Sequence, residues 1–552
     1  MNEFQLNPTR TDKPRSVFPV HLRAPTTMKV GEITPLLVRE ILPGDTFSID
    51  VNSAIAAASP FVSRVYGDLF LDIYAFFVPN RLVWEHWQQF CGENDTGAWT
   101  QTNSYVIPTK SFDLDVAYVP SIVGSIGDHM GLPIQATAIA DEQSIAVNSL
   151  PLRGYARIYN EWFRNENTDS PVPVTYGDVD ASAVGALGYN SAPLKACRFN
   201  DYFSACLPGA QKGAAVGIVS QGLAPVVAAS TEHSTNLSVK LGSSQVSQSS
   251  QSYMPLYGNI GYHLLSVNSG DVKVPSEEFK TVDMTNLVAD LSKSTAVSIN
   301  QWRLAFQTQK YLELMARGGS RYIESLKSLF GVTNGDARLQ RTEYLGGKRI
   351  RLAFQEVVAT SSSAENSDTK YALGQQTIKS FTYDQSSLFT KSFTEHGWLH
   401  IYGVIRHKHQ YCQGLERQWT RQDFLDFYNP VFDSIGETPV YQKEIFCVGK
   451  SASDDKVFGY QEAWADYRYD RDMVTGLLRP NIGSVGLPTM TFVDNYSSVP
   501  ALTEFMQETR DSVTRCMALQ NIGCDFICDF MFTGKKARTM SVRSIPGLID
   551  HH

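Results

Sequence analysis

The sequence predicts an all-β-dominated protein with long, partly helical insertions between its strands, and three observations carry that expectation. Between Asp68 and Phe77 every odd position is apolar (Leu69, Leu71, Ile73, Ala75, Phe77), while Asp68, Phe70, Asp72, Tyr74 and Phe76 form a mixed polar and aromatic face. That is the period of a strand with one dry side. Upstream, PLLVREIL, then Pro43, Gly44 and Asp45, then the alternation Phe47, Ile49, Val51 read as strand, turn, strand. The 25 Tyr and 29 Phe among 552 residues suit pleated, half-buried surfaces.

Taken in order, residues 1–29 are polar and punctuated by Pro8, Pro14, Pro19 and Pro25, so neither a helix nor a central strand can run through them. They read as an extended N-terminal arm. After the strand pair and the 68–77 strand, Pro79 removes a ladder donor and Asn80 can cap a helix beginning there. Val83, Trp87 and Phe90 then recur at helical spacing before Gly92. This predicts a short amphipathic helix whose Trp84, His86 and Trp87 serve packing. Residues 93–200 are rich in Pro, Gly and Asn, with one helix expected over Leu152 to Arg164, where Tyr155, Ile158, Tyr159, Trp162 and Phe163 share a side.

From 203 to 254 the chain is Ser-rich, and only Lys212, Glu232 and Lys240 are charged; it closes with the aromatic run SYMPLYGNIGYHLL. An exposed, partly ordered loop is expected. Helices follow from Ile299 to Phe330, broken by Gly318 and Gly319. Trp302, Phe306, Leu312 and Met315 are expected on the buried side of the first, and Tyr322, Ile323, Leu326, Leu329 and Phe330 on that of the second. The last third reads as strands and irregular loops, including HGWLHIYGVIRH and FGYQEAWADYRYD.

Composition narrows the function. Hydrophobic residues at 43% and charged residues at 19% describe a globular chain. No apolar run is long enough to cross a bilayer, and MNEFQLNPTRTDKPR lacks the apolar segment of an export signal, which predicts a soluble protein made in the cytoplasm. A net charge of −8 argues against a simple nucleic-acid-binding module, because phosphates demand clustered Lys and Arg. Both ends are nevertheless basic, with Arg10, Lys13 and Arg15 at one and Lys535, Lys536 and Arg538 at the other. Ten Lys or Arg stand against four acids between Arg303 and Arg351, a stripe that suits either phosphate or simple solvation. The eight cysteines lack metal-site or disulfide spacing and read as buried thiols; Cys524 and Cys528 alternate with Phe526 and Phe530 on one expected strand face.

Catalytic patterns do not emerge. Gly449, Lys450 and Ser451 end like a phosphate loop, but Glu444 occupies the position where the first glycine is required. His396 and His400 sit in an alternating strand, where four residues span about 13 Å, too far to share an ion. His407 and His409 can reach one metal with Cys412 nearby, although surface polarity is the stronger reading. Glu462 and Asp466 suit a hydrolytic pair, yet among 56 acids a role in salt bridges is the stronger reading. No enzymatic activity, metal or cofactor is expected.

Five blocks together, LVREILPGDTF, FFVPNRLVWEHWQQFCGEN, QWRLAFQTQKYLELMARGGSRYIE with DARLQRTEYLGG, VFGYQEAWADYRY and SIPGLIDHH, cover nearly the whole chain in order. In combination they resemble the major capsid protein of the gokushovirus branch of the microviruses, small icosahedral single-stranded-DNA bacteriophages. The resemblance implies an eight-stranded antiparallel jelly-roll β-sandwich, with core residues 30–202 and 291–552. It implies sixty copies in a T=1 shell around circular single-stranded DNA. Residues 203–290 fall where the family varies most and would form a protrusion at the threefold axes suited to a bacterial surface receptor. A small basic DNA-packaging protein, a pilot protein and a scaffolding protein are the implied partners, and the virion the implied location. On this reading Arg10, Lys13, Arg15, Lys535, Lys536 and Arg538 face the genome, and Tyr253, Met254, Leu256 and Tyr257 are the host-attachment group. The 1–29 arm lies inside or between subunits, so its deletion is expected to abolish particles while leaving a folded monomer. The alternative is a secreted jelly-roll protein that binds or hydrolyses carbohydrate, which the missing export signal disfavours.

Overall fold

The computed structural model describes residues 15–543 apart from 94–104, 115–119, 136–143, 180–184, 215–225, 229–239, 242–243, 246–265, 268–269, 272–286, 290–298, 320, 334, 359–375, 481, 483–486 and 521. Its main elements are β1 (Ser16–Met28), β2 (Thr34–Ile41), β3 (Thr46–Ala57), β4 (Leu69–Pro79), α1 (Leu150–Ile158), α2 (Ile299–Gly318), α3 (Tyr322–Phe330), β5 (Glu343–Arg351), β6 (Phe354–Val358), β7 (Gln376–Ser392), β8 (Gly397–His407) and β9 (Phe526–Arg538). Two antiparallel sheets dominate, one in the order β1-β9-β3-β7-β6 and one in the order β5-β4-β8-β2.

The dry face of β4 is where alternation puts it. Leu69, Leu71, Ile73, Ala75 and Phe77 join Ile49, Val51 and Ile55 of β3, Leu399, Ile401 and Ile405 of β8, and Phe526, Cys528, Phe530 and Phe532 of β9 in one core between the sheets. Burying such side chains contributes about 1.5–3 kcal/mol each before entropy is counted. Gly534 is required where β9 crosses β3: its φ is +143°, and a Cβ there would meet the carbonyl oxygen of Ser48 at 2.0 Å.

The other face of β4 is also dry. Phe76 and Val78 pack with Tyr402 and Val404 of β8 and with Leu150, Leu152, Tyr155 and Ile158 of α1 in a second core. The α1 helix continues into a π turn, Tyr159–Phe163. Its Tyr155 hydroxyl donates to the Ile33 carbonyl and accepts from the Leu194 amide, both at 2.9 Å. A third cluster gathers Tyr202, Phe203, Cys206, Tyr411, Phe458 and Phe505.

Several expectations change. The arm is partly strand: Ser16–Met28 pair with the whole of β9, from Ser16 opposite Arg538 to Met28 opposite Phe526. Pro19 and Pro25 are tolerated because β1 is an edge strand, and their shared parity puts both missing donors on the unpaired side. Deleting residues 1–29 therefore removes a strand of the sandwich, and a folded monomer is no longer the expected product.

The helix expected over Val83, Trp87 and Phe90 is instead a 3₁₀ turn, Asn80–Leu82, and a one-turn helix, Trp87–Phe90. Val83 and Trp84 leave the helical register to fill the second core, while Phe90 is exposed. The thiols are only partly internal: Cys206, Cys516 and Cys528 are buried, but Cys91 and Cys447 are exposed and all eight are free. Cys524 precedes β9 and so escapes the inward alternation that buries Cys528.

The chain divides into one unit of residues 1–212 and 313–552 and another of 213–312. Tyr202, Phe203 and Cys206 are packed within the first unit, although the Ser-rich composition starts there. In the second unit the described strands are short pairs, such as Val226–Ala228 with Leu287–Ala289.

Candidate assembly surfaces and a buried ion network

The basic residues expected to face a genome divide into three groups. Arg10 and Lys13 lie outside the described residues. At the end of the first sheet, Arg15 donates to the Gly44 carbonyl at 2.7 Å and to Thr46. Arg538 pairs with Asp45 at 3.2 Å, donates to the Glu40 carbonyl at 2.9 Å and covers the Phe47 ring. Both arginines thus clasp the turn between β2 and β3. Lys535 is exposed and Lys536 half-buried on opposite faces of β9. Half of the basic residues between Arg303 and Arg351 are committed to ion pairs: Arg317 and Arg321 at the helices and Lys348, Arg349 and Arg351 on β5 pair with Glu437, Glu166, Asp384, Asp72 and Asp68. Tyr253, Met254, Leu256 and Tyr257 lie outside the described residues.

A buried network, only half visible in the sequence, joins the end of β8 to two distant loops. His407 Nδ1 lies 2.6 Å from Glu508 Oε1, and His409 Nε2 lies 3.2 Å from Glu508 Oε2. The second nitrogen of each ring is also engaged, His407 Nε2 with Ser512 Oγ at 2.7 Å and His409 Nδ1 with Asp494 at 2.9 Å. Asp494 in turn accepts from Arg198 at 2.7 Å.

Burial alone would push the His409 pKa down, but Asp494 and Glu508 reverse this and raise it to about 9. Burial and the adjacent His409 charge hold His407 down. Burial opposes the charge on Asp494 and Glu508, yet the cations around them keep both carboxyls well below the usual range. With His409 and Arg198 cationic and His407 neutral, the two carboxylates are balanced.

The ligand atoms of His407, His409 and Glu508 lie within 4.8 Å of one another, a set able to hold a metal such as zinc. Cys412, near the two histidines in sequence, has its thiol directed to the Asp494 carbonyl and is not part of this set. Glu508 was illegible as a partner, being 99 residues from His409. The charge balance favours a proton-holding ion network over a metal centre, because one buried proton already neutralises the site.

The proposed hydrolytic pair is structural in its contacts: Glu462 pairs with Arg468 at 3.3 Å and Asp466 with Arg421. Trp84 and His86 share the Asp178 carboxylate at 2.8 Å, and His86 stacks on Tyr105.

The exposed apolar surface also departs from expectation. Trp302 and Phe306 of α2 and Tyr322, Leu329 and Phe330 of α3 are exposed where burial was expected. A helical stripe specifies an apolar face without saying whether its partner lies in the same chain. A second such surface runs from Arg417 to Ile435 and includes Trp419, Phe424, Leu425 and Val431. Large exposed apolar areas on an ordered chain mark contact surfaces.

Comparison with known proteins bears on the nature of those contacts. The family model described as "Capsid protein (F protein)" matches residues 8–548. The sequence is 35% identical to "Capsid protein VP1" of Chlamydia phage 1, over 99% of this chain and 98% of that protein. It is 34% identical to proteins of the same description from Spiroplasma virus 4, over 97% of this chain and 95% of that protein, and from Bdellovibrio phage phiMH2K, over 96% and 95%.

Proposed function

The chain belongs to the F-protein family of capsid proteins, and we propose that sixty copies of it close into a T=1 icosahedral shell around a circular single-stranded DNA genome. It is a structural major capsid protein, a non-enzymatic component of the virion that assembles into a multimeric capsid. The observation that carries the proposal is the family match across nearly the whole chain, together with a strand-rich sandwich beneath it.

The sandwich is read as an eight-stranded jelly roll. Its support is the strand order: setting aside β6 at the sheet edge, the first sheet holds the first, eighth, third and sixth strands and the second holds the fifth, fourth, seventh and second. Residues 1–14 act at subunit boundaries, β1 with 30–202 and 291–552 forms the wall, and 203–290 form a threefold protrusion. The separate contact unit at 213–312 supports the last of these. Tyr253, Met254, Leu256 and Tyr257, apolar and aromatic in a nearly uncharged stretch, would meet the host surface receptor. Lys535, exposed on β9, would face the DNA together with Arg10 and Lys13, whereas Lys536 on the opposite face of that strand and Arg15 and Arg538, which hold the turn between β2 and β3, would not.

Weak phosphate contacts suffice when repeated around a shell. An acidic coat leaves most of the charge neutralisation to a small basic packaging protein; a pilot protein and a scaffolding protein complete the assembly, which occurs in the bacterial cytoplasm. Electron microscopy of cells producing the chain with these partners is expected to show uniform small closed shells. Monomers or open sheets alone would contradict the reading.

A further inference from the structure

Between Arg417 and Ile435 the chain makes three consecutive 3₁₀ turns, Arg417–Thr420, Phe424–Asp426 and Pro430–Phe432. Trp419, Phe424, Leu425, Phe427, Val431 and Ile435 point outward from them; Phe424 and Val431 are 79% and 82% exposed. We infer that this platform is a contact face between copies of the chain, an inference that rests on the shell reading above.

The exposure does not come from a loose segment. Asp426 accepts from the amides of Gln422 and Asp423 at 2.9 and 3.0 Å, and Asn429 accepts from the Val431 amide at 3.0 Å. The platform is fastened below by Arg417 to Glu444 at 2.9 Å and by Arg421 to Asp466, with Arg421 over the Tyr467 ring. Trp464 donates to the Phe432 carbonyl at 3.0 Å and meets Tyr428 edge to face. A preorganised apolar surface loses little entropy when a partner covers it.

Charge identifies the partner. Bases of single-stranded DNA stack on aromatic side chains, but such sites set cations beside the rings for the phosphates. Here the cations of the platform and its support are committed to carboxylates: Arg417 to Glu444, Arg421 to Asp466, Arg468 to Asp433 and Glu462, Arg471 to Glu416. The stretch 417–435 itself carries Asp423, Asp426 and Asp433 against Arg417 and Arg421, which disfavours an anionic membrane or a genome. Aromatic and aliphatic anchors with self-satisfied polar groups are the anatomy of a protein–protein interface. In a capsid the protein present at matching copy number is the chain itself.

The test compares the wild-type chain with Phe424→Ser/Val431→Ser, both produced with the partner virion proteins. Few contacts of the folded subunit are lost, so the variant is expected to keep its far-ultraviolet circular dichroism and melting temperature yet yield at least tenfold fewer particles. Radical footprinting of wild-type particles against dissociated subunits provides a readout independent of the variant: oxidation of Trp419, Phe424 and Phe427 should fall several-fold on assembly. Normal variant particles, or equal oxidation in both states, would overturn the inference. So would particles that form normally but lose only DNA or only host adsorption, which would assign the face to the genome or the receptor. Failure of the wild type to form particles would instead sink the shell reading itself.

Discussion

His409 Nδ1 stands 2.9 Å from the Asp494 carboxylate in a site closed to water, and the opposite nitrogen of the same ring faces Glu508. One imidazolium thereby ties the end of β8 to two loops that lie 85 and 99 residues further along the chain. Arg198, on the far side of Asp494, brings in a fourth segment.

This arrangement fixes a pH dependence. A histidine whose pKa is raised from 6.5 to about 9 stabilises the fold fully below pH 6.5 and loses that contribution as pH rises through 9. Asp494 and Glu508, held low, contribute above the ordinary carboxylate range and lose their contribution in acid. His407, held low, costs stability once the unfolded chain begins to take up its proton below about pH 6.5. Subunit stability is therefore expected to peak near neutrality and to fall between pH 6.5 and 9, by on the order of 3 kcal/mol from His409, with the melting temperature following it. His409→Gln should flatten that limb and cost about 3–5 kcal/mol at pH 6.5, because it leaves two buried carboxylates with one cation. Equal slopes in wild type and variant would contradict this.

The same balance predicts indifference to metals. Chelation with EDTA is expected to leave the subunit melting temperature unchanged, and elemental analysis of purified particles should find no stoichiometric zinc. One zinc per chain whose removal lowers stability would establish His407, His409 and Glu508 as its ligands instead.

The close approach of α1 to the second sheet makes Gly154 intolerant. A Cβ there would lie 2.8 Å from Nε2 of His400, which is fully buried and stays neutral because burial lowers its pKa to about 3. Gly154→Ala should lose about 1–3 kcal/mol to overpacking, more than the roughly 1 kcal/mol that alanine gains in a helix. Unchanged or higher stability in denaturant titration would show that the helix can lift away from β8.

The N-terminus separates into two functions. Removing residues 1–14 leaves β1 intact and is expected to yield a folded subunit that assembles poorly. Removing residues 1–29 takes away one of the two strand neighbours of β9 and should yield aggregated or unfolded chain. Circular dichroism with particle yield reads both, and normal DNA-filled particles from the shorter deletion would contradict the arm's role at subunit boundaries.

Sequence periodicity was most informative where burial has one side. The alternation of Leu69, Leu71, Ile73, Ala75 and Phe77 located a core strand without help from any distant residue. It could not show that the face carrying Phe76 and Val78 is covered as well, because the cover is α1, some seventy residues later. Pro19 and Pro25 disguised β1, since proline excludes a central strand but not an edge. Trp302 and Phe306 form a legible stripe whose partner is not in the described structure of this chain. Of the ion network, His407 and His409 were visible as neighbours, whereas Asp494 and Glu508 are joined to them only by tertiary folding.

Copies of this chain are proposed to build a closed shell of sixty. Charge-detection mass spectrometry of purified empty particles counts those copies directly, once the masses of the minor virion proteins are subtracted. A single narrow mass corresponding to sixty chains is the expected result. A broad distribution, or a discrete mass corresponding to another copy number, would contradict the T=1 assembly.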